Sequence, residues 1–450
     1  MKSFKNIAFI ACLLLIFAAC KKTENLNVQQ PVGLGGEVVA STTIDKWIMD
    51  SLTTPYNITA LYRWDPWTAS LYKTVTPADE SRVIPLFSAL KRVWINPYNE
   101  ETGSEMFMKK YSPKQFVLIG SVEYDYYSVT LGQAEGGNNI VFFDVNQNYD
   151  KNPITSIKRV IHTAHHEFAH ILHQTVMYPQ DFKGTSSKLG LPGYTATWFN
   201  VSDADAFNQG YATAYSRSGP DDDFVEMVAT MLTEGRPKWE EMKANTNATA
   251  RQALQQKEDF VVTYYRQVWN IDFYSLQTRV QNALNALYPP PAVSDVFGFG
   301  KTYTRASVNP ANTTILPQPA AFTTIFNSAK TGLAAVGGAG RVLDSFAVVQ
   351  SSAATIQLRM YYRNSAGSAF QANFNYAVTK DASNVYTFTY TSADANGSVI
   401  ASGVTSLTDY FSNNKFTITW YADPNSSIYP RVKFTPQATP GTYFIARLLP

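Results

Sequence analysis

The chain has 450 residues and a formal net charge of +2, a length that predicts two or three domains. Hydrophobic residues make up 45% and charged residues 16%, which supplies ample material for buried cores and excludes long disorder. Near-neutral charge with no basic stripe argues against a nucleic-acid partner. The only two cysteines are Cys12 and Cys20, so everything beyond residue 20 is without disulfides and without a thiolate metal site.

In chain order, Lys2 and Lys5 precede an apolar run from Ile7 to Ala19, which ends in Phe17-Ala18-Ala19-Cys20. The run is too short to span a membrane comfortably. Small residues directly before a cysteine resemble a bacterial lipoprotein signal, with residues 1–19 removed and Cys20 lipidated. No other run is apolar enough to cross a membrane, so the lipid is the expected membrane attachment. Residues 20–40 are polar and read as a tether.

Ile44, Trp47, Ile48 and Leu52 recur at helical spacing behind a Ser/Thr start, predicting a helix over residues 43–52. Residues 56–63 alternate like a strand, and residues 85–95 read as a helix with proline in its first turn. Residues 116–123 and 139–145 are β-branched and aromatic runs, hence strands. A long helix is expected from Ser156 to Tyr178, stopped by Pro179. Residues 185–219 look irregular. A helix over residues 221–234 has Pro220 at its entry and Gly235 and Pro237 at its exit, and further helix is expected to residue 287.

The run Pro289-Pro290-Pro291 marks a domain boundary. Beyond it, short alternating segments at residues 355–363, 385–390, 415–421 and 443–448 are spaced by turn residues. They suggest an all-β sandwich or barrel. The expected organisation is a signal at 1–19, a tether at 20–40, an α+β domain at 41–290 and a β-sandwich-like domain at 291–450.

All five histidines of the chain lie between His162 and His173. Within that stretch, His166-Glu167-Phe168-Ala169-His170 has the H-E-x-x-H pattern on an expected helix. Residues four apart share one helix face, so both imidazoles can reach a single metal. Glu167, beside the first histidine, is then placed to act as general base toward a water. Imidazole and carboxylate ligands point to Zn²⁺. His166 and His173 are separated by about 10 Å along a straight helix, and no glycine follows His170 to break it. His173 is therefore expected as a neighbour of the ligands, and His162 and His165 as packing or surface residues.

A third ligand must come from elsewhere in the chain, and the segment Asp221-Asp222-Asp223-Phe224-Val225-Glu226-Met227 is the best source. Its acidic first turn also suits the helix dipole. Glu226 is flanked by apolar residues and needs a partner; Asp222 lies one turn earlier on the same face. Either acid can ligate while the other orients a histidine. Tyr215 and Tyr211 precede this helix and are candidates to stabilise an oxyanion.

These residues together resemble the zinc-binding metallopeptidase lipoproteins of Bacteroidetes, described as substrate import-associated zinc metallohydrolase lipoproteins. The resemblance covers about residues 20–290. It is carried by Cys20, the Trp47 helix, Pro55-Tyr56-Asn57-Ile58 with Tyr62-Arg63, Gly120-Ser121, the block His166–Gln174, and Asp223–Met227. It implies a zincin-like catalytic domain with one zinc, a peptide or protein substrate, a lipid anchor in the outer membrane and a partner import complex. In gluzincin-like relatives the first acid of such a helix is often the ligand and a tyrosine precedes it, which points to Asp222 and Tyr215. Glu226 remains a rival, because the usual residue at the first position is Glu. The reading is a zinc-dependent hydrolase, most of all a peptidase, associated with nutrient import. The alternative is a non-catalytic zinc-containing lipoprotein that binds substrate for an importer.

Overall fold

The structure is a computed structural model that describes residues 41–65, 73–124, 129–130, 132–135, 139–147 and 152–450. The expected signal, Cys20 and the tether lie outside the described residues. Contacts divide the chain into Met1–Lys46 and Trp47–Pro450. Of the first unit, residues 41–46 are described, where Thr42 Oγ1 accepts the Asp45 N–H at 3.2 Å and caps the helix beginning at Thr43.

The larger unit is mixed helix and sheet followed by a barrel. Four strands, β1 (Thr59–Leu61), β2 (Gln115–Leu118), β5 (Gly132–Glu135) and β6 (Asn139–Phe142), form a sheet in the order β1-β2-β6-β5. The pairs β1–β2 and β2–β6 are parallel, and β5 runs antiparallel at the edge. The strands β3 (Glu123–Tyr124) and β4 (Val129–Thr130) make a separate ribbon. In β2 and β6, nearly every residue is buried because both faces are covered. Val117, Ile119, Val141 and Phe143 form one cluster. On the other face, Phe116 meets Phe87, Trp94 and Phe142. Trp94 in turn packs edge-on to Phe168 at 5.6 Å, which seats the histidine-bearing helix Pro153–Thr175 on the sheet side of the core.

The C-terminal region is a closed eight-stranded barrel, not the sandwich-like pair of sheets expected. Its strands are β7 (Arg305–Val308), β8 (Val342–Gln350), β9 (Thr355–Arg363), β10 (Ala369–Lys380), β11 (Val385–Ala393), β12 (Lys415–Trp420), β13 (Arg431–Pro436) and β14 (Phe444–Leu449). Each pairs antiparallel with the next, and β14 closes onto β7 through Arg447↔Ser307. Sandwiches and barrels share the same alternation along a strand, so closure cannot be read from one strand. In β9, Ile356, Leu358, Met360 and Tyr362 point inward.

Nor is the region all-β. Helix Ala320–Ala335 buries Phe322, Phe326, Ala329 and Leu333 in the barrel core, and helix Thr405–Ser412 adds Leu407, Tyr410 and Phe411. Gly332 permits the close approach of the first helix, because a Cβ there would stand 2.2 Å from the Gly403 carbonyl oxygen.

A polar seam joins the residues on either side of the proline run. The Lys158 Nζ donates to the Asn425 carbonyl at 2.8 Å, and Ser426 Oγ donates to Gln281 Oε1 at 2.6 Å. Glu241 accepts the Ile428 N–H at 2.6 Å and pairs with Arg431.

Candidate metal centre

The helix Pro153–Thr175 begins three residues before the sequence-based expectation. Asn152 caps it by accepting the Ile154 N–H at 3.0 Å, and Pro153 occupies the first turn, where a missing N–H costs nothing. It ends at Thr175, because Val176 is extended. One face buries Ile157, Ile161, Ala164, Phe168 and Leu172. The histidine stripe occupies another.

The acidic helix Pro220–Ala244 has Gly219 extended at its entry, Pro220 in its first turn, and Asp221, Asp222 and Asp223 beside its positive end. Gly235 has a φ of 78° and breaks the helical run where its glycine and Pro237 predicted an exit. This helix packs directly against the histidine helix. Its first turn is fixed by Asp223, which pairs with Lys257 at 2.6 Å in full burial and accepts from Tyr194 at 3.0 Å.

Side by side, the two helices bring His166, His170, Asp222 and Glu226 together. His166 Nε2 and His170 Nε2 are 3.2 Å apart, and His170 Nε2 is 3.4 Å from Asp222 Oδ1. Glu226 meets the other ring nitrogen: its Oε1 lies 2.7 Å from His166 Nδ1 and 2.9 Å from His162 Nε2. Thr213 donates to Glu226 Oε2 at 2.6 Å, and Ser218 donates to Asp222 Oδ2 at 2.7 Å. His173 Nε2 stands 2.9 Å from His170 Nδ1.

Among the described residues, two groups therefore have the composition of a metal site: His166 with His170 and Asp222, and His162 with His166 and Glu226. Spacing separates them. Zinc bonds of about 2.0–2.2 Å in a tetrahedron put ligand atoms about 3.3 Å from one another. The first group, at 3.2 and 3.4 Å, has that spacing. The second, at 2.7 and 2.9 Å, has the spacing of charge-assisted hydrogen bonds. The donor set of the first group, two imidazole nitrogens and a carboxylate oxygen, fits Zn²⁺.

The electrostatics follow from the same contacts. Burial alone would raise the Glu226 carboxyl, yet His162 and His166 hold it well below the ordinary range. Burial is likewise outweighed at Asp222, where hydrogen bonds to His170 and Ser218 leave the carboxyl lowered. Glu167 behaves in the opposite way. It is 9% exposed, and burial raises its carboxyl despite the nearby imidazoles. Its Oε1 is 4.0 Å from His166 Nε2.

The Tyr215 ring lies 5.8 Å from the His166 ring, tilted by 31°, and its hydroxyl is raised by burial and by Asp222 and Glu167, so it stays a neutral hydrogen-bond donor. Burial lowers His173 to about 4, which keeps it neutral beside His170. His165 is fully buried, lowered to about 3 by burial and packed against Tyr98.

Several residues of this centre escaped the sequence reading. His162 was expected to pack or lie at the surface, and instead contacts Glu226; its place at the head of the i, i+4, i+8 stripe was the available signal. Thr213, Ser218 and Trp198, whose ring lies 4.9 Å from Tyr215, carried no signal in the sequence. Tyr211 is not near the histidines; its hydroxyl donates to the Pro192 carbonyl at 2.8 Å, and its ring lies against Lys257.

A family model described as "Putative zinc-binding metallo-peptidase" matches residues 37–274. The chain belongs to that family. The matched stretch takes in both helices of the centre and stops before the barrel. A search of curated proteins finds no match. Among solved structures, the chain is similar to the crystal structure of a putative zinc-binding metallo-peptidase from Bacteroides caccae. The two are 27% identical with a TM-score of 0.46, over 54% of this chain and 92% of that one.

Proposed function

We propose that this family member is a zinc-dependent peptidase holding one ion per chain through His166, His170 and Asp222. The observation that carries this reading is the position of His170 Nε2, 3.2 Å from His166 Nε2 and 3.4 Å from Asp222 Oδ1, with Glu167 beside the first histidine. The helical half is then a zincin-like catalytic domain. Glu226 orients His166 through Nδ1, and His173 does the same for His170, which fixes the tautomer of each ligand.

Bound zinc supplies Lewis acidity, which makes a water acidic near neutral pH and polarises a carbonyl. Glu167 takes the proton of the attacking water and returns it to the leaving amine; its raised pKa suits both steps. Tyr215 donates its hydroxyl to the developing oxyanion. The lipoprotein-like signal at residues 1–20 supports a lipid anchor at Cys20 in the cell envelope, and the family resemblance supports a site in the outer membrane beside a nutrient-import complex.

The test is hydrolysis of a quenched fluorescent peptide library by the zinc-loaded chain lacking residues 1–20. Cleavage that chelator abolishes and zinc restores supports the reading, whereas a zinc-loaded chain inert toward every amide points to the non-catalytic alternative. Cys20→Ser should move the full chain from the membrane fraction to the soluble one, and retention in the membrane would overturn the anchor.

A further inference from the structure

A cavity of about 500 Å³ opens where the histidine helix, the acidic helix and the barrel segment around Asn425 meet. Lys158, Arg159 and Lys238 line it, and Glu234 is the one acidic lining residue. Lys158 Nζ donates to Glu234 Oε2 at 3.0 Å and to the Asn425 carbonyl at 2.8 Å, which leaves its third N–H unused. Lys238 Nζ donates to the same Glu234 oxygen at 2.6 Å and keeps two.

Two further donors are buried without a partner. They are Arg159 Nε and the hydroxyl of Thr233, a residue only 2% exposed. Arg159 is otherwise neutralised by Asp144, at 2.9 Å. The cavity also lies at the positive end of the 23-residue histidine helix. Cations outnumber carboxylates in the lining, so the complementary ligand is an oxyanion.

We propose that this cavity receives the C-terminal carboxylate of the peptide substrate, an inference that rests on the peptidase reading above. The cavity and the metal centre share a wall. His162 lines the cavity, and its Nε2 touches the same Glu226 oxygen that holds His166. Lys158 precedes His166 by eight residues, about 12 Å along the helix axis. An extended peptide covers about 3.3 Å per residue. The carboxylate therefore sits about three to four residues beyond the scissile bond, and the cavity has room for a terminal residue as well as its carboxylate. The substrate class is short peptides cleaved about three to four residues from a free C-terminus.

The experiment uses the zinc-loaded Glu167→Gln chain and matched N-acetylated hexapeptides ending in a free acid or an amide, with binding read by calorimetry. The free acid should bind about 10–100-fold more tightly, as expected of a charge-assisted hydrogen bond. Lys238→Met should erase that difference while zinc content stays unchanged, and Thr233→Val, which keeps shape and removes the orphan hydroxyl, should reduce it. Equal binding of acid and amide, or no binding of either, would overturn the proposal. So would inorganic phosphate occupying the site without displacing the free-acid peptide, which would mark a free-anion site. In the active chain, cleavage about three to four residues from the C-terminus supports the subsite. If discrimination persists but nothing is cleaved, the hydrolytic reading fails and the subsite stands.

Discussion

Glu226 Oε1 lies 2.7 Å from His166 Nδ1, while the Nε2 of the same ring faces His170. The two nitrogens of one imidazole are thereby given to different partners. Nδ1 is held by a buried carboxylate, and Nε2 stands 3.2 Å from His170 Nε2. The two acids that stand one turn apart on the acidic helix thus reach opposite sides of His166, and their chemistry differs accordingly.

The two acids should respond differently to mutation. His166→Ala, His170→Ala and Asp222→Ala should each abolish zinc retention. Glu226→Gln should retain zinc with affinity lowered about 10–100-fold, as is usual for a partner of a ligating histidine. Competition with a chromogenic chelator measures both effects. If Asp222→Ala keeps full affinity and Glu226→Gln loses the metal, the two roles are reversed.

Glu167→Gln preserves size and removes the proton acceptor. Zinc content should be unchanged and kcat should fall by about 10²–10⁴-fold. Steady-state cleavage of a responsive library peptide is the measurement, and wild-type turnover in the variant would remove Glu167 from the mechanism.

Lys257 and Asp223 are both fully buried, and burial pushes the ammonium down and the carboxyl up. Lys257→Met leaves Asp223 without its charge partner and should destabilise the chain by about 3–5 kcal/mol. Because Asp223 anchors the first turn of the acidic helix, zinc affinity should fall in the same variant. Urea titration with and without zinc reads the two effects, and an unchanged midpoint would show that the pair contributes nothing net.

Glu234 accepts from both Lys158 and Lys238, and these cations outweigh burial to hold its carboxyl below the ordinary value of 4.5. A lowered folded-state pKa contributes stability that is present above the unfolded value and is lost as pH falls through the folded one. Stability should therefore decline below about pH 4.5 as this group takes up a proton. In Glu234→Gln that part of the acid limb should flatten, as followed by urea midpoints between pH 3 and pH 6. An identical acid limb in both proteins would assign the loss to other carboxylates.

The local features of the centre were legible in the sequence because they follow from short-range rules. His166 and His170 share a face by helical spacing alone. Gly235 and Pro237 mark a break by their backbone preferences, and Phe224, Val225 and Met227 around Glu226 signal burial. The proline signals were also readable, although Pro153 at the first turn of the histidine helix was overlooked and its start was placed at Ser156.

What the sequence determined by itself was the chemistry: two imidazoles one turn apart, a base beside the first, and a choice between two acids. Only the tertiary structure gives Asp222 and Glu226 different surroundings, because both lie on one face of one helix and what each meets depends on how that helix is rotated against its neighbour. That rotation is set by contacts far apart in the chain, among them Lys257 with Asp223 and Thr213 with Glu226. The choice between sandwich and barrel was likewise left to the tertiary structure. Period-two alternation places Ile356, Leu358 and Met360 on one face in a sandwich and in a barrel alike, and only the pairing of the last strand with the first, Arg447 opposite Ser307, removes the free edges.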